Sequence, residues 1–186
     1  MQLPQRPIKA VLTTAMIVLV GMGLAACAGD PPPPPPCPDI LIVADGAKLT
    51  RFKPGPGRDI IDVLHEEEII GFAHSCEYNT DETGAGELTV WLAPTIVSTR
   101  GPANQTGDTD FDYIIATTDA QKNILSKTRY PLVLNYAQNV PNLKWQRPQP
   151  HEFVLPLKAG QNGENYLIYL SLALNRMELD YQRKNR

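Results

Sequence analysis

The sequence predicts an all-β protein, an antiparallel immunoglobulin-like β-sandwich of about seven strands with a short C-terminal helix. Three observations predict it. Apolar and polar residues alternate with a period of two in most segments after Pro38, turn chemistry recurs between those segments, and a helix signal is confined to the C-terminal end.

Residues 40–44 form a compact apolar run. The 51–59 stretch contains Pro54-Gly55-Pro56-Gly57 and reads as an irregular loop, because neither Pro-Gly pair continues a helix or a central strand. Residues 60–78 are rich in β-branched and aromatic side chains. Ile61, Val63 and Ile69 share one face and Ile70, Phe72, Cys76 and Tyr78 the other, so a bulge or break at 68–71 is expected. After the Gly84-Ala85-Gly86 turn, Leu88, Val90, Leu92 and Ile96 alternate, and Phe111, Tyr113 and Ile115 repeat the pattern. A hairpin turn at 119–123 leads into 124–136, where Tyr130, Leu132, Leu134 and Tyr136 share a face. Phe153, Leu155 and Leu157 mark a further strand, and Tyr166, Ile168, Leu170, Leu172 and Leu174 the clearest one. A helix is expected over 176–183. Asn175 is its cap, Glu178 completes a capping box, and Leu174 with Leu179 forms a hydrophobic staple. This helix is expected to pack over a sheet edge and to be the element freest for a partner.

The chain has 186 residues and 20.5 kDa, room for one core plus accessory segments. Its 17 basic against 20 acidic residues give a formal charge of −3, which offers no general attraction to nucleic-acid phosphates, and no nucleic-acid partner is expected. With 42% hydrophobic and 20% charged residues the chain can fill a core. The 18 prolines include six in a row, Pro31 to Pro36.

Arg6 and Lys9 precede an apolar stretch over 10–24, interrupted only by Thr13 and Thr14, whose length suits a secretory h-region. A retained spanning helix needs about 20 apolar residues, and here the run gives way to Cys27, Asp30 and proline. Leu24-Ala25-Ala26-Cys27 resembles a bacterial lipobox. That resemblance implies a signal peptide over 1–26, cleavage after Ala26, and Cys27 as the lipid-attachment residue, carrying diacylglycerol and an amide-linked acyl (palmitate-type) chain. Each buried CH₂ contributes about 0.8 kcal/mol, so two or three chains hold a protein at a membrane where one does not. Loss of Arg6 and Lys9 takes the formal charge from −3 to −5, which gives no electrostatic attraction to an anionic leaflet. Ala28, where inner-membrane retention uses Asp, implies by the same resemblance the periplasmic face of the outer membrane. An envelope protein partner is the further expectation.

Residues 27–36 then read as the lipidated cysteine and a spacer. Six prolines take the polyproline II form and span about 19 Å at about 3.1 Å per residue. A PxxP ligand is the rival reading, but its readers are mainly eukaryotic cytosolic modules. With Cys27 acylated, Cys37 and Cys76 remain as an even pair in an oxidising compartment, and a disulfide between them is expected. Neither a C-x-x-C pair nor a histidine at ligand spacing favours the alternative of a metal site. Residues 37–186 make up the β-sandwich domain.

The stretch Cys37-Pro38-Asp39-Ile40-Leu41-Ile42-Val43-Ala44-Asp45-Gly46-Ala47-Lys48-Leu49-Thr50-Arg51-Phe52, with Pro54-Gly55-Pro56-Gly57-Arg58-Asp59 and Cys76-Glu77-Tyr78, resembles an uncharacterised family of small alphaproteobacterial lipoproteins. The resemblance implies export and lipidation. It transfers no activity.

His65 with Glu66, Glu67 and Glu68 is the one dense polar constellation. On a strand His65 and Glu67 point one way and Glu66 and Glu68 the other, and a charged, solvated strand is expected in preference to a metal site. No metal, cofactor or catalytic residue is assigned: the sequence lacks G-x-S-x-G, H-E-x-x-H and phosphate-loop motifs. His74 and His151 have no local partners. The polar 98–109 loop, with Arg100-Gly101-Pro102 and Asn104, reads as a surface connection, with ligand binding as its alternative. Trp91 falls on the face opposite Leu88, Val90 and Leu92, and either exposure or cover by the helix or a loop is open. The chain is therefore expected to be a non-enzymatic, periplasm-facing accessory or scaffold lipoprotein. The alternative is a β-sandwich module binding a small molecule or glycan. A cluster of His65, a carboxylate and a third polar group in one pocket is the arrangement that would favour an enzyme instead.

Overall fold

The computed structural model describes residues 33–137 and 140–185. The expected signal segment, Cys27 and the first two spacer prolines lie outside the described residues. Pro33 to Pro36 are exposed and belong to neither helix nor strand.

Among the described residues nine strands form two sheets, a β-sandwich as the alternation predicts. One sheet has the order β1 (Asp39–Ile42), β9 (Tyr166–Leu172), β5 (Asp108–Asp119) and β6 (Ile124–Asn135). In the other, β2 (Lys48–Phe52), β3 (Val63–Thr80) and β4 (Gly86–Arg100) are neighbours, and β7 (Asn142–Gln146) and β8 (His151–Leu157) both lie along the remaining side of β4. Pairing is antiparallel except between β1 and β9, which run parallel, a correction to the wholly antiparallel expectation. Between the sheets lie Leu88, Val90, Leu92 and Ile96 of β4, Phe111, Tyr113 and Ile115 of β5, and Ile168, Leu170 and Leu172 of β9. Full burial of an aliphatic or Phe side chain contributes about 1.5–3 kcal/mol relative to exposure.

The two strands beyond the expected seven are β2 and β7. Leu49 and Thr50 are adjacent and both buried: Leu49 joins the core, while Thr50 accepts from Gln182 of the C-terminal helix. Cover on both faces hides the alternation that would have marked β2. The expected bulge in β3 is present, with a register shift between Ile69 and Gly71. It turns the face of the strand, so that Val63, His65, Glu67 and Ile69 are buried before it and Phe72, Cys76 and Tyr78 pack against the core after it.

β7 and β8 act as one strand interrupted opposite Pro94. Pro94 O accepts from Arg147 N at 3.1 Å. A strand residue directs its N–H and C=O to the same neighbour, so the donor that Pro94 lacks is missing on this side, and the ladder breaks there. β6 is a sheet edge, with Ile124 and Val133 both 66% exposed. Asp112 O accepts from Ala173 N beside β9, so Asp112 faces β9 and its cross-strand partner Pro131 faces the open edge.

Cys37 and Cys76 are disulfide-bonded, with Cα atoms 5.8 Å apart. The bond ties the segment just before β1 to β3, joining the two sheets. The helix α1 (Arg176–Lys184) starts at the expected capping box: Asn175 Oδ1 accepts from Glu178 N at 2.9 Å and Glu178 Oε2 from Asn175 N at 2.8 Å. It docks on β2 through a Tyr181–Phe52 edge contact, Gln182 to Thr50, and Arg51 to Glu178.

Candidate functional site

The register of three strands places Leu49, Glu67 and Ser98 in one row across β2, β3 and β4. Glu67 and Ser98 share the inward parity of their strands, and Thr109, on the inward face of β5, reaches across from the other sheet. One carboxylate therefore collects three side-chain donors. His65 Nδ1 lies 2.8 Å from both Glu67 oxygens, and Ser98 Oγ and Thr109 Oγ1 donate to Oε1 at 2.9 and 3.2 Å. Ser98 has spent its proton on Glu67, so in its 2.6 Å contact with Tyr136 the phenol is the donor. Burial raises the pKa of Tyr136, and the neighbouring Glu67 charge adds to the rise.

This overturns the solvated-strand expectation for part of 65–68. Glu67 is 1% and His65 3% exposed, whereas Glu66 is exposed and Glu68 half-buried. A buried carboxylate is costly unless its oxygens are satisfied, and the donors that satisfy this one come from strands distant in sequence.

A cavity of about 340 Å³ adjoins the cluster, lined by Arg51, His65, Asn104, Gln105, Asp108 and Asp110 among others. The connection between β4 and β5 builds its roof; it covers only residues 101–107, a correction to the expected 98–109 loop, because Ser98 and Thr109 belong to the paired ends of the two strands. Asn104 organises the loop, giving Nδ2 to Asp108 O at 2.7 Å and accepting from Gly107 N at 2.9 Å, and Arg100 donates twice to Asn104 O. Gly107 has φ +82°, a conformation that costs glycine nothing. Gly101 lies against Val63, where a Cβ would sit 2.2 Å from the backbone oxygen. The loop is thus packed down onto β3 over His65.

His65, the Glu67 carboxylate and a third polar group do meet, as the enzyme alternative requires. Their order is not that of a nucleophile relay. Ser98 and His65 both bind Glu67 and not each other, and Ser98 is fully buried, so its hydroxyl is not activated by the imidazole. Glu67 Oε1 already accepts from Ser98 and Thr109, and Nδ1 faces both carboxylate oxygens, so Nδ1 carries the proton of that contact.

A second cluster lies where β6 approaches β7 and β8. Tyr113 OH is 2.7 Å from His151 Nε2, Tyr130 lies 3.8 Å from the His151 ring centroid, and Arg147 stands 6.0 Å over Tyr130. Burial, and next the Arg147 charge, lower the His151 pKa to about 4. Trp145 packs on Tyr113 with ring centroids 6.2 Å apart, whereas Trp91 is half-buried and donates to Glu152 of β8 at 3.3 Å. His74 is exposed with its ring against Phe72. Among the described residues no group of three or more His, Cys, Asp or Glu side chains is arranged to hold a metal ion.

Ser98, Thr109, Tyr113 and Tyr136 are the site residues that sequence reasoning left unassigned. Their inward parity, shared with Ile96, Phe111 and Leu134, is the signal that would have found them.

No family model matches the chain, and no curated protein matches it. Among solved structures it is similar to the variable (V) domain of the AgI/II polypeptide BspA of Streptococcus agalactiae, at 11% identity over 71% of this chain and 75% of that chain, with a TM-score of 0.17. A likeness that remote carries no argument about fold or function.

Proposed function

We propose that the protein is a lipid-anchored, periplasm-facing lipoprotein of the outer membrane, attached through Cys27 and serving as a non-enzymatic accessory or scaffold subunit of the cell envelope. The observation that supports the exported setting is the Cys37–Cys76 bond, since structural disulfides persist in oxidising compartments. An accessory role is supported by the outer face of the β1–β9–β5–β6 sheet. Leu41, Val43 and Ile124 are exposed there, Tyr169 is half-buried, and a groove of about 350 Å³ is lined by Val43, Ile124 and Tyr169 among others. Exposed apolar ground of this kind is what a protein partner covers. Fractionation of cells carrying Cys27→Ser tests the anchor: the variant is expected in the soluble fraction, and unchanged membrane retention sinks the reading. Crosslinking with capture tests the role, and recovery of lipid alone removes the accessory function.

The second reading, a small-molecule-binding module, is favoured by the cavity over His65. Thermal-shift screening tests it, because a saturating ligand must raise the melting temperature.

A further inference from the structure

We propose that the side of the sandwich formed by β6, β7 and β8 is the docking surface for an acidic protein segment, one of whose carboxylates is taken by the Arg147 guanidinium. This rests on the accessory reading above and gives its partner a chemistry.

The charges of the chain are segregated. Residues 121–158 hold six of its 17 basic side chains, Lys122, Lys127, Arg129, Lys144, Arg147 and Lys158, and one of its 20 acidic ones, Glu152. The fold gathers that stretch on one side: β6 is the edge of one sheet, β7 and β8 line the edge of the other, and Tyr130 of β6 lies against His151 of β8 across the seam. Alternation sets Lys127 and Arg129 on the outer face beyond one lip of the seam and Lys144 on the outer face beyond the other. Arg129 is paired with Asp112 and Glu152 accepts from Trp91, whereas Lys122, Lys127 and Lys144 have no carboxylate partner among the described residues.

Charges on edge strands keep second copies from pairing with them, which accounts for Lys127, Arg129 and Lys144. It does not account for Arg147. This side chain stands half-buried over the Tyr130 ring, with its Nε buried and without a hydrogen-bond partner, and its bond from Nη1 to Tyr113 OH is long at 3.4 Å. A guanidinium presents five donors in a fork shaped to a carboxylate, and none of the described carboxylates fills this one. Tyr130 beneath it and Trp145, which packs on the same Tyr113, are half-buried, and Arg, Tyr and Trp are the side chains that anchor protein interfaces. Val133 and Val154 on the same strands are 66% and 51% exposed and supply apolar ground beside the charges.

Position favours a protein over the bilayer. β1 and β6 are the two edges of their sheet, and Cys37, through which the chain leads back to the spacer, lies at the β1 edge, so the basic side is across the sandwich from the point where the tether enters. Pro131 withholds a backbone donor on β6, so side chains hold the partner and no strand is added.

A short synthetic peptide of repeated Glu-Glu-Tyr units serves as the probe and its Gln-for-Glu counterpart as the control. Both are titrated into the full chain in detergent, and tryptophan emission, excited beyond the tyrosine band, is read. The acidic peptide is expected to bind and to change the emission of Trp145, so the signal survives Trp91→Phe and is lost in Trp145→Phe. Arg147→Gln is expected to weaken binding about tenfold. Lys127→Gln with Lys144→Gln should weaken it about two- to fivefold, and Arg176→Gln, on α1, should leave it unchanged. Added salt should weaken it. Failure of the acidic peptide to bind at millimolar concentration overturns the proposal, as does equal binding of the control or equal weakening by Arg176→Gln; capture of a partner through another surface then leaves the accessory reading standing. Tighter binding, per negative charge, of dextran sulfate or of phosphatidylglycerol micelles assigns this side to a glycan or a lipid and overturns the protein partner. If Arg147→Gln does not fold, the lysine pair and the Trp145 signal decide.

Discussion

Glu178 and Arg51 are joined in a way that gives one side chain two structural tasks. Oε2 of Glu178 takes the amide of Asn175 and closes the first turn of α1, while Oε1 takes the Arg51 guanidinium at 2.9 Å and fastens that turn to β2. The carboxylate is 8% exposed, so water weakens the pair little.

Removing it should therefore loosen cap and dock together. Glu178→Ala is expected to destabilise the protein by about 2 kcal/mol, and Glu178→Gln, which keeps a capping acceptor, by less. Urea unfolding measures the total, and hydrogen exchange should show α1 opening before the sheets. Equal losses for the two variants would deny the ion pair any part.

Glu67 is the next test. Glu67→Gln leaves one oxygen for three donors and sets an NH₂ among them, and a loss of roughly 2–4 kcal/mol is expected. Ser98→Ala removes a single donor and should cost about 1 kcal/mol. The order of the two losses in urea is the discriminating result, since a solvated Glu67 would make both negligible.

How far the fold was legible is seen in these same residues. The inward rows of β4, β5 and β9 have one covered and one open face, so their alternation reports their structure. β2 has Leu49 in the core on one face and, on the other, a helix that the sequence places more than a hundred residues away, and its pattern vanishes. His65 and Glu67 were correctly put on one face, but charge argued for water because the compensating donors, Ser98 and Thr109, sit 31 and 42 residues beyond Glu67. Parity is local information. Satisfaction of a buried charge is not.

The stability of the protein should fall on acidification before its carboxylates titrate. His151 has a folded pKa of about 4 against an ordinary 6.5, so between those values the unfolded chain binds more protons and stability declines as pH drops. The full effect is about 3 kcal/mol. Asp62, Asp81 and Asp119, whose pKa values are lowered by their hydrogen bonds, lose their contributions only below about 3.8. Urea midpoints measured from pH 7 to pH 4 should slope for the wild type and flatten for His151→Gln. A parallel slope in both proteins would clear His151 of the effect.

Reduction of Cys37–Cys76 releases a closure spanning 39 positions. On chain entropy this should cost about 4 kcal/mol. The Cys37→Ser, Cys76→Ser double variant should show the same fall in melting temperature, with β1 the first strand to exchange its amides. An unchanged melting temperature under reductant would contradict the clamp.

Pro131 has a consequence for copies of this protein held close together. An incoming strand that tries to extend the sheet along β6 finds no hydrogen to accept at Pro131, and Arg129 and Lys127, two and four positions earlier, repel their own counterparts. A long, exposed, partly apolar margin is thereby kept from zippering into ordered aggregates, and neighbours can touch there without merging their sheets.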